Sequence, residues 1–318
     1  MEPESPESSP STPPPSPAPP AVSTCYRHPK VESYVRCTRC ERFICPDCMR
    51  DAAVGHQCPE CVKEGARTVR QARTAFGGRI SVVPLVTYLL IALNVLAYLA
   101  ELVRPEIVDD FAMLGRGLVG PDGLHYVWQE AYPSDFRPEG VLEGEWYRLL
   151  TGAFLHLPPT EGTFGILHIV MNMATLWNVG RVVETQLGRA RYLTLYLLSA
   201  LGGSVLVLLL APDSNTVGAS GAIFGVCTAY YVLARRLGAD PAGINRFMAG
   251  LLIWLIISAV VTSWQGHLGG LLTGGLIALA FAYAPRDRRR VLVQAGACVA
   301  VLALLVVLAV GKVVAMTG

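Results

Sequence analysis

Residues 164–180 read FGILHIVMNMATLWNVG, an apolar stretch that carries His168 and Asn172 four residues apart. A hydrophobic helix needs about 20 residues to cross a bilayer, and 17 to 25 is the usual range. Stretches of the same kind recur at 82–100, 192–210, 219–233, 247–261, 267–283 and 291–310. The expected fold is therefore an all-α polytopic membrane protein with seven spans. Composition agrees: 52% of the 318 residues are hydrophobic and 16% are charged, against roughly 25% charged in a soluble domain. An ordinary soluble enzyme is excluded. A net charge of +2 is too small to argue for nucleic acid or an acidic substrate, so the placement of charge matters more than its sum.

Arg67, Arg70, Arg73 and Arg79 precede the first span, and Arg181, Arg189 and Arg191 lie between the second and third. Arg235, Arg236 and Arg246 join the fourth to the fifth, and Arg286, Arg288, Arg289 and Arg290 the sixth to the seventh. All four groups fall on one side, while the connections near 212–216 and 262–265 have no Lys or Arg. The positive-inside rule then places the N-terminus in the cytoplasm and the C-terminus outside. The connection from Glu101 to about Thr163 falls outside. Its segment from Glu145 to His156 is amphipathic and aromatic, and is expected to lie in the outer headgroup region.

Upstream of the spans, residues 1–22 contain nine prolines and almost no apolar side chains. They are expected to be disordered, because they cannot offset the entropy of folding. No basic, apolar and small-residue succession marks a secretory signal there. Residues 23–65 hold four pairs at two-residue spacing: Cys25 with His28, Cys37 with Cys40, Cys45 with Cys48, and Cys58 with Cys61. Such spacing lets a tight turn aim both members at one ion, and eight donors make two tetrahedral Zn²⁺ sites. The preferred pairing is cross-braced: Cys25, His28, Cys45 and Cys48 on one ion, and Cys37, Cys40, Cys58 and Cys61 on the other. Sequential pairing would leave two ligand loops with little shared core. With all eight ligands used, these zincs are structural, and the small head resembles B-box-like zinc domains, which bind proteins. A disulfide framework is the alternative, disfavoured in a reducing cytoplasm. His56 is an extra donor that could replace a neighbour, although a surface histidine is the preferred reading. Residues 66–80 read as a basic linker and 81–312 as the membrane domain.

Polar side chains inside spans are costly, and each is a functional hypothesis. His168 and Asn172 lie near the start of span two, Ser220 at the start of span four and His267 at the start of span six. Even-numbered spans all begin on the outer face, so the four share one depth. His168 and Asn172 also share a helical face. Ser220 stands in Gly218-Ala219-Ser220-Gly221, where glycine permits close backbone approach. A serine hydroxyl needs a base, and His267 is the candidate; with no carboxylate beside it, a Ser-His dyad without a third acid is inferred. His168, Asn172 and the Ser220 backbone N–H are donors suited to an oxyanion.

The set formed by Trp146 and Arg148, His168-x3-Asn172, Glu184, Gly218-x-Ser220-Gly221 and His267-x2-Gly270-x3-Gly274 resembles rhomboid intramembrane serine proteases over roughly residues 80–310. The resemblance implies a six-helix catalytic bundle, here with an extra C-terminal span. It implies cleavage in or near the transmembrane segment of another membrane protein, through an acyl-enzyme on Ser220 and with no catalytic cofactor. It further implies that Phe224 packs on the His267 imidazole, that Gly270 and Gly274 draw span six against span four, and that Arg148 and Glu184 anchor the outer loop. The insertion LPPTEGT at 157–163 departs from the family pattern and puts the equivalence of His156 in doubt. His156 and His125 are read as surface-loop histidines, and Cys227 and Cys298 as small hydrophobes. The head, with its Pro-rich tail and thiolates, resembles that of actinobacterial rhomboids, which implies a plasma membrane if the source is bacterial; its expected roles are to recruit a cytoplasmic protein partner, bind a substrate's tail or help oligomerisation. The rival readings are a rhomboid-like client-binding protein without catalysis, and a transporter, for which no internal repeat is visible.

Overall fold

The computed structural model describes residues 23–68, 72–159 and 162–318; the expected disordered tail, Arg70 and part of the 157–163 insertion lie outside them. The chain separates into two compact units, with the boundary at residue 71.

The first unit has an antiparallel pair, β1 (Arg50–Asp51) and β2 (His56–Gln57), followed by α1 (Pro59–Thr68), which starts directly after Cys58. Its core is Ile44 surrounded by buried Cys25, Cys37, Cys45, Cys48, Cys58 and Cys61. So few apolar side chains cannot hold a fold of this size by burial alone.

The second unit is built on long apolar helices. Here α2 is Leu85–Val103 and α3 is Glu106–Phe111. An outer segment follows, with β3 (Gly117–Val119), β4 (His125–Val127), β5 (Arg137–Glu139) and the short α4 (Arg148–Thr151). The three strands are antiparallel in the order β4-β3-β5, with Leu118 opposite both Tyr126 and Pro138. The chain then enters α5 (Gly162–Thr175), widens through a π turn at Leu176–Gly180, and continues as α6 (Arg181–Leu187). After Gly188 come α7 (Arg189–Leu210), α8 (Ser220–Arg236), α9 (Pro241–Val261), α10 (Trp264–Tyr283) and α11 (Arg290–Thr317). Asp240 caps α9 by accepting from Ala242 N and Gly243 N ahead of Pro241, and Ser263 caps α10 by accepting from Gly266 N.

Among the described residues, six helices are long and apolar enough to cross a membrane. The remaining expected span, α8, is 17 residues long and buried along most of its length. The fold is thus a multi-pass membrane protein with a helix, α11, beyond the six-helix bundle. Two expected boundaries are corrected. The first span runs to Val103, so Glu101 belongs to the helix and not to the outer loop; the second runs from Gly165 to Leu187, so Arg181 is helical and not in a connection. Hydropathy ends a span at its first charge, whereas the helix continues wherever that charge finds a partner.

The centre of the bundle is α7, α8 and α10, which meet through glycine. A Cβ on Gly270 would strike the Gly221 carbonyl, one on Gly274 would strike Gly225 Cα, and one on Gly202 would strike Thr273 Oγ1. Small residues at such contacts let helix backbones touch, the usual source of association where lipid removes the hydrophobic incentive. Because the obstacle at Gly270 is main chain, Gly270→Val is expected to destabilise by about 3 kcal/mol or more. Gly296→Ala in α11, where a Cβ meets nothing within 4 Å, should be neutral or stabilising by up to about 1 kcal/mol. Thermal unfolding of both variants in one detergent checks the contrast.

Candidate active site

Gly218 has φ +130 and donates its N–H to the Gly152 carbonyl at 2.9 Å, so the chain turns sharply against the outer segment before α8 begins. Ser220 is the first residue of α8. One turn into α10, His267 is 4% exposed and its Nε2 lies 2.8 Å from Ser220 Oγ. Phe224, one turn after Ser220, stacks on the imidazole with ring centroids 4.4 Å apart and an interplanar angle of 12°. No carboxylate is bonded to His267 among the described residues, and its Nδ1 is buried without a protein partner. The imidazole is thus oriented by an aromatic face and the serine.

His168 reaches the same place from α5. A Cβ on Gly218 would sit 2.8 Å from both Cε1 and Nε2 of His168 and 3.4 Å from Ser220 Oγ, so bare glycine backbone separates the two side chains. Leu157 N–H donates to His168 Nδ1 at 3.4 Å. With Nδ1 accepting, a neutral ring carries its proton on Nε2, the edge that faces Gly218 and Ser220. Asn172 Nδ2 is buried with no partner among the described residues.

Two cavities meet at this point. One, of about 430 Å³, is lined by Gly218, Ser220, His267, Trp264 and Gln265 on the loop side. The other, of about 440 Å³, lies between α5, α8 and α9 and is bordered by Asn172, Phe224, Phe247 and Trp254. His168, Ser220 and His267 border both. The hydroxyl can therefore be approached from a polar and an apolar side.

The outer segment corrects several expectations. His156 is 0% exposed, not a surface histidine, and its ring centroid lies 5.3 Å from that of His168. Its backbone N–H donates to the Glu101 carboxylate at 3.2 Å. A carboxylate near the end of α2 thus fixes the loop whose next N–H bonds His168. Sequence reading missed this pair; the signal was His156 standing among Phe154, Leu155, Leu157 and Pro158, an apolar setting unlike an exposed loop. Glu101→Leu is expected to lose about 1–3 kcal/mol of stability, while Glu101→Gln, which keeps an acceptor, retains most of it; melting curves decide.

His125 is also not free in the loop: its Nδ1 lies 2.8 Å from Glu139 Oε1. Arg148 is 2% exposed and saturates its guanidinium with Glu145 Oε2 at 2.6 Å, Glu139 Oε2 at 3.1 Å and the Asp109 and Ala112 carbonyls at 2.6 and 3.2 Å. The 145–156 segment is consequently half core: Trp146, Tyr147 and Leu150 are exposed while Arg148, Leu149, Ala153 and His156 are buried. Glu184 anchors a different place. Its carboxylate accepts from Val86 N, Thr87 N and Thr87 Oγ1 at 2.8 to 3.0 Å, closing the start of α2 rather than the outer loop.

In the first unit the eight pair residues form two groups, Cys25, His28, Cys45 and Cys48, and Cys37, Cys40, Cys58 and Cys61. Within each group the ligand atoms lie within 4.8 Å of one another. The pairing is cross-braced. Tetrahedral coordination with metal–sulfur bonds of about 2.3 Å gives S···S edges near 3.8 Å, the separation of Cys40 Sγ from Cys58 Sγ at 3.8 Å, and His28 Nδ1 lies 3.2, 3.5 and 3.9 Å from Cys45, Cys48 and Cys25 Sγ. Both groups can hold a metal ion. Arg42 donates Nε to Cys40 Sγ at 3.3 Å and bonds Glu60 at 2.6 Å, fixing one ligand loop against α1. His56 belongs to neither group; its Nδ1 lies 3.3 Å from Asp51 across the β1–β2 pair.

A family model described as the Rhomboid domain matches residues 143–284, from the outer segment through α10. The Rhomboid protease GluP of Bacillus subtilis (strain 168) is 35% identical over 151 residues, 46% of this chain and 28% of that protein. RHOMBOID-like protein 6, mitochondrial, of Arabidopsis thaliana is 36% identical over 143 residues, 42% of this chain and 43% of the relative. The putative rhomboid protease YdcA of Bacillus subtilis (strain 168) is 32% identical over 159 residues, 48% of this chain and 74% of its own length. The chain belongs to the rhomboid family. It spans less than half the length of the first two relatives.

Proposed function

We propose that the protein is an intramembrane serine protease that hydrolyses a peptide bond in or near the transmembrane segment of another membrane protein. The observation that carries this reading is the 2.8 Å contact between Ser220 Oγ and His267 Nε2 at a wall shared by two cavities. Ser220 Oγ attacks the scissile carbonyl as His267 Nε2 takes its proton. His267 then returns that proton to the leaving amine, and an acyl-enzyme remains on Ser220. Water, deprotonated by His267, attacks the ester carbonyl; the acid product leaves and the proton returns to Ser220. His168 Nε2–H, Asn172 Nδ2–H and the Ser220 N–H stabilise the oxyanion in both halves. In support, His168 has its Nδ1 occupied by Leu157 N–H and Asn172 keeps a buried unpartnered amide. The apolar cavity beside α9 suits the substrate's side chains, and the polar one supplies water. Of α9, only 11% of the apolar window is buried, so it can yield to an entering segment at little cost.

The metal groups are read as two structural Zn²⁺ sites, since thiolate-rich tetrahedral sets with no open position suit that ion. On the same reading residues 1–22 are a tail, 23–65 the zinc domain, 66–80 a basic linker and 81–312 the catalytic domain. The head faces the cytoplasm, where it takes a protein partner, and the C-terminus lies outside a plasma membrane.

A fluorophosphonate probe tests the proposal directly. Wild type should form one adduct, mapped to Ser220 by peptide mass spectrometry, and His267→Ala should label far more slowly. A folded protein that forms no adduct at Ser220 would be a client-binding relative, not a protease.

A further inference from the structure

The end of the bundle remote from the dyad gathers positive charge that no carboxylate pairs among the described residues. Arg73 lies ahead of α2, Arg191 is in the first turn of α7 and Arg290 opens α11. The turn from Thr74 to Gly78, closed by Thr74 N to Gly78 O and Gly78 N to Thr74 Oγ1, joins them. Arg73 Nη1 donates to Gly77 O at 3.1 Å and Arg290 Nη2 to Ala75 O at 2.9 Å. Arg191 Nε donates to Gln294 Oε1 at 2.7 Å, and the buried Gln294 amide donates to the Phe76 and Phe281 carbonyls.

Gly77, at φ +86, marks the place where two of these guanidiniums converge: a Cβ there would lie 2.8 Å from Arg290 Cδ, 3.2 Å from Arg290 Nη1 and 3.4 Å from Arg191 Nη2. Arg290 Nε is buried and has no partner among the described residues.

No described carboxylate forms an ion pair with Arg73, Arg191 or Arg290. Glu184 is committed to the start of α2, and Asp287 to the Arg289 N–H at 2.7 Å. Neither α7 nor α11 has an acidic residue in its first turn or a side-chain cap. The N-terminus of α7 therefore adds partial positive charge to three guanidiniums, an arrangement that repels itself unless an anion joins it.

We propose that Arg73, Arg191 and Arg290, around the Gly77 backbone, form a binding site for a phosphate group at the membrane surface. Guanidinium pairs and free helix N-termini recognise phosphate by directed N–H donors as well as by charge. Basic pockets between transmembrane helices at a membrane face take anionic lipid headgroups in this way. The site is separate from the dyad: Phe281, whose carbonyl bonds Gln294, is fourteen residues beyond His267 on α10, roughly 20 Å away. It rests on helix alternation and side-chain geometry, and stands whether or not the protein is a protease.

The test uses the full chain in nanodiscs of phosphatidylcholine alone, or of phosphatidylcholine with phosphatidylglycerol. Thermal unfolding is followed in each, with inorganic phosphate titrated into the first. The variants are Arg191→Gln/Arg290→Gln and, where that pair fails to fold, Arg73→Gln, against Arg286→Gln/Arg288→Gln as a control of equal charge on exposed residues. Wild type and control should be stabilised by phosphatidylglycerol, with apparent lipid affinity at least about tenfold weaker in the Arg191/Arg290 variant. Stabilisation by inorganic phosphate in phosphatidylcholine, lost in the same variant, would assign the site to a free phosphate. Equal loss in variant and control, or no response of wild type to either probe, would overturn the proposal.

Discussion

Ser220→Ala is expected to reduce cleavage of a membrane-anchored substrate to background, a loss of about 10⁴-fold or more, because no other described group can form the acyl-enzyme. His267→Ala should lose about 10²- to 10⁴-fold, the usual worth of a general base. Single losses at His168 or Asn172 should be smaller, about 10²- to 10³-fold each, and should fall on kcat rather than KM, since an oxyanion donor acts in the transition state. Initial rates for the four variants in one detergent measure the ranking. Cleavage by Ser220→Ala at the wild-type rate would refute the mechanism. The contact of 2.8 Å between Ser220 and His267 also predicts that the double variant is little worse than Ser220→Ala alone.

The second large effect concerns metal. The core of the head is its own clustered cysteines around Ile44, so on the proposed reading of the two groups as zinc sites ion binding and folding are one event there, worth about 10–16 kcal/mol for a structural zinc site. Chelation should release two equivalents of zinc and expose the segment 23–68 to proteolysis. Cysteine-to-serine changes at Cys45 or Cys58 should do the same without chelator. Substrate cleavage should persist, because each of the two units has its own core. Loss of cleavage on chelation, restored by Zn²⁺, would show that the head controls catalysis.

The apolar runs disclosed the helices, and the alternation of spans brought His168, Asn172, Ser220 and His267 to one level before any coordinates. The cross-braced grouping of the cysteines was legible too, because ligand spacing is local chemistry. What stayed hidden depended on contacts between distant segments. Glu101 and His156 are 55 residues apart in the chain, and neither shows from its neighbours that the other will satisfy it. Arg148 read as an anchor, but its burial beneath Glu139, Glu145 and two carbonyls required the small outer sheet, whose three-residue strands are too short to show alternation. Glu184 was misplaced by the resemblance, which implied an outer-loop anchor; its partners Val86 and Thr87 lie 98 and 97 residues upstream, at the start of α2.

The contacts of Gly270 and Gly274 with the backbone of α8 separate two kinds of adaptation. The position of His267 relative to Ser220 is set by main-chain atoms shared by all amino acids, while the lipid-facing side chains of α9 and α11 take no part in it. Those surfaces can drift to match a thicker, thinner or stiffer bilayer while the spacing of the two polar atoms stays constant. A lineage can therefore change membranes by altering its outer helices alone.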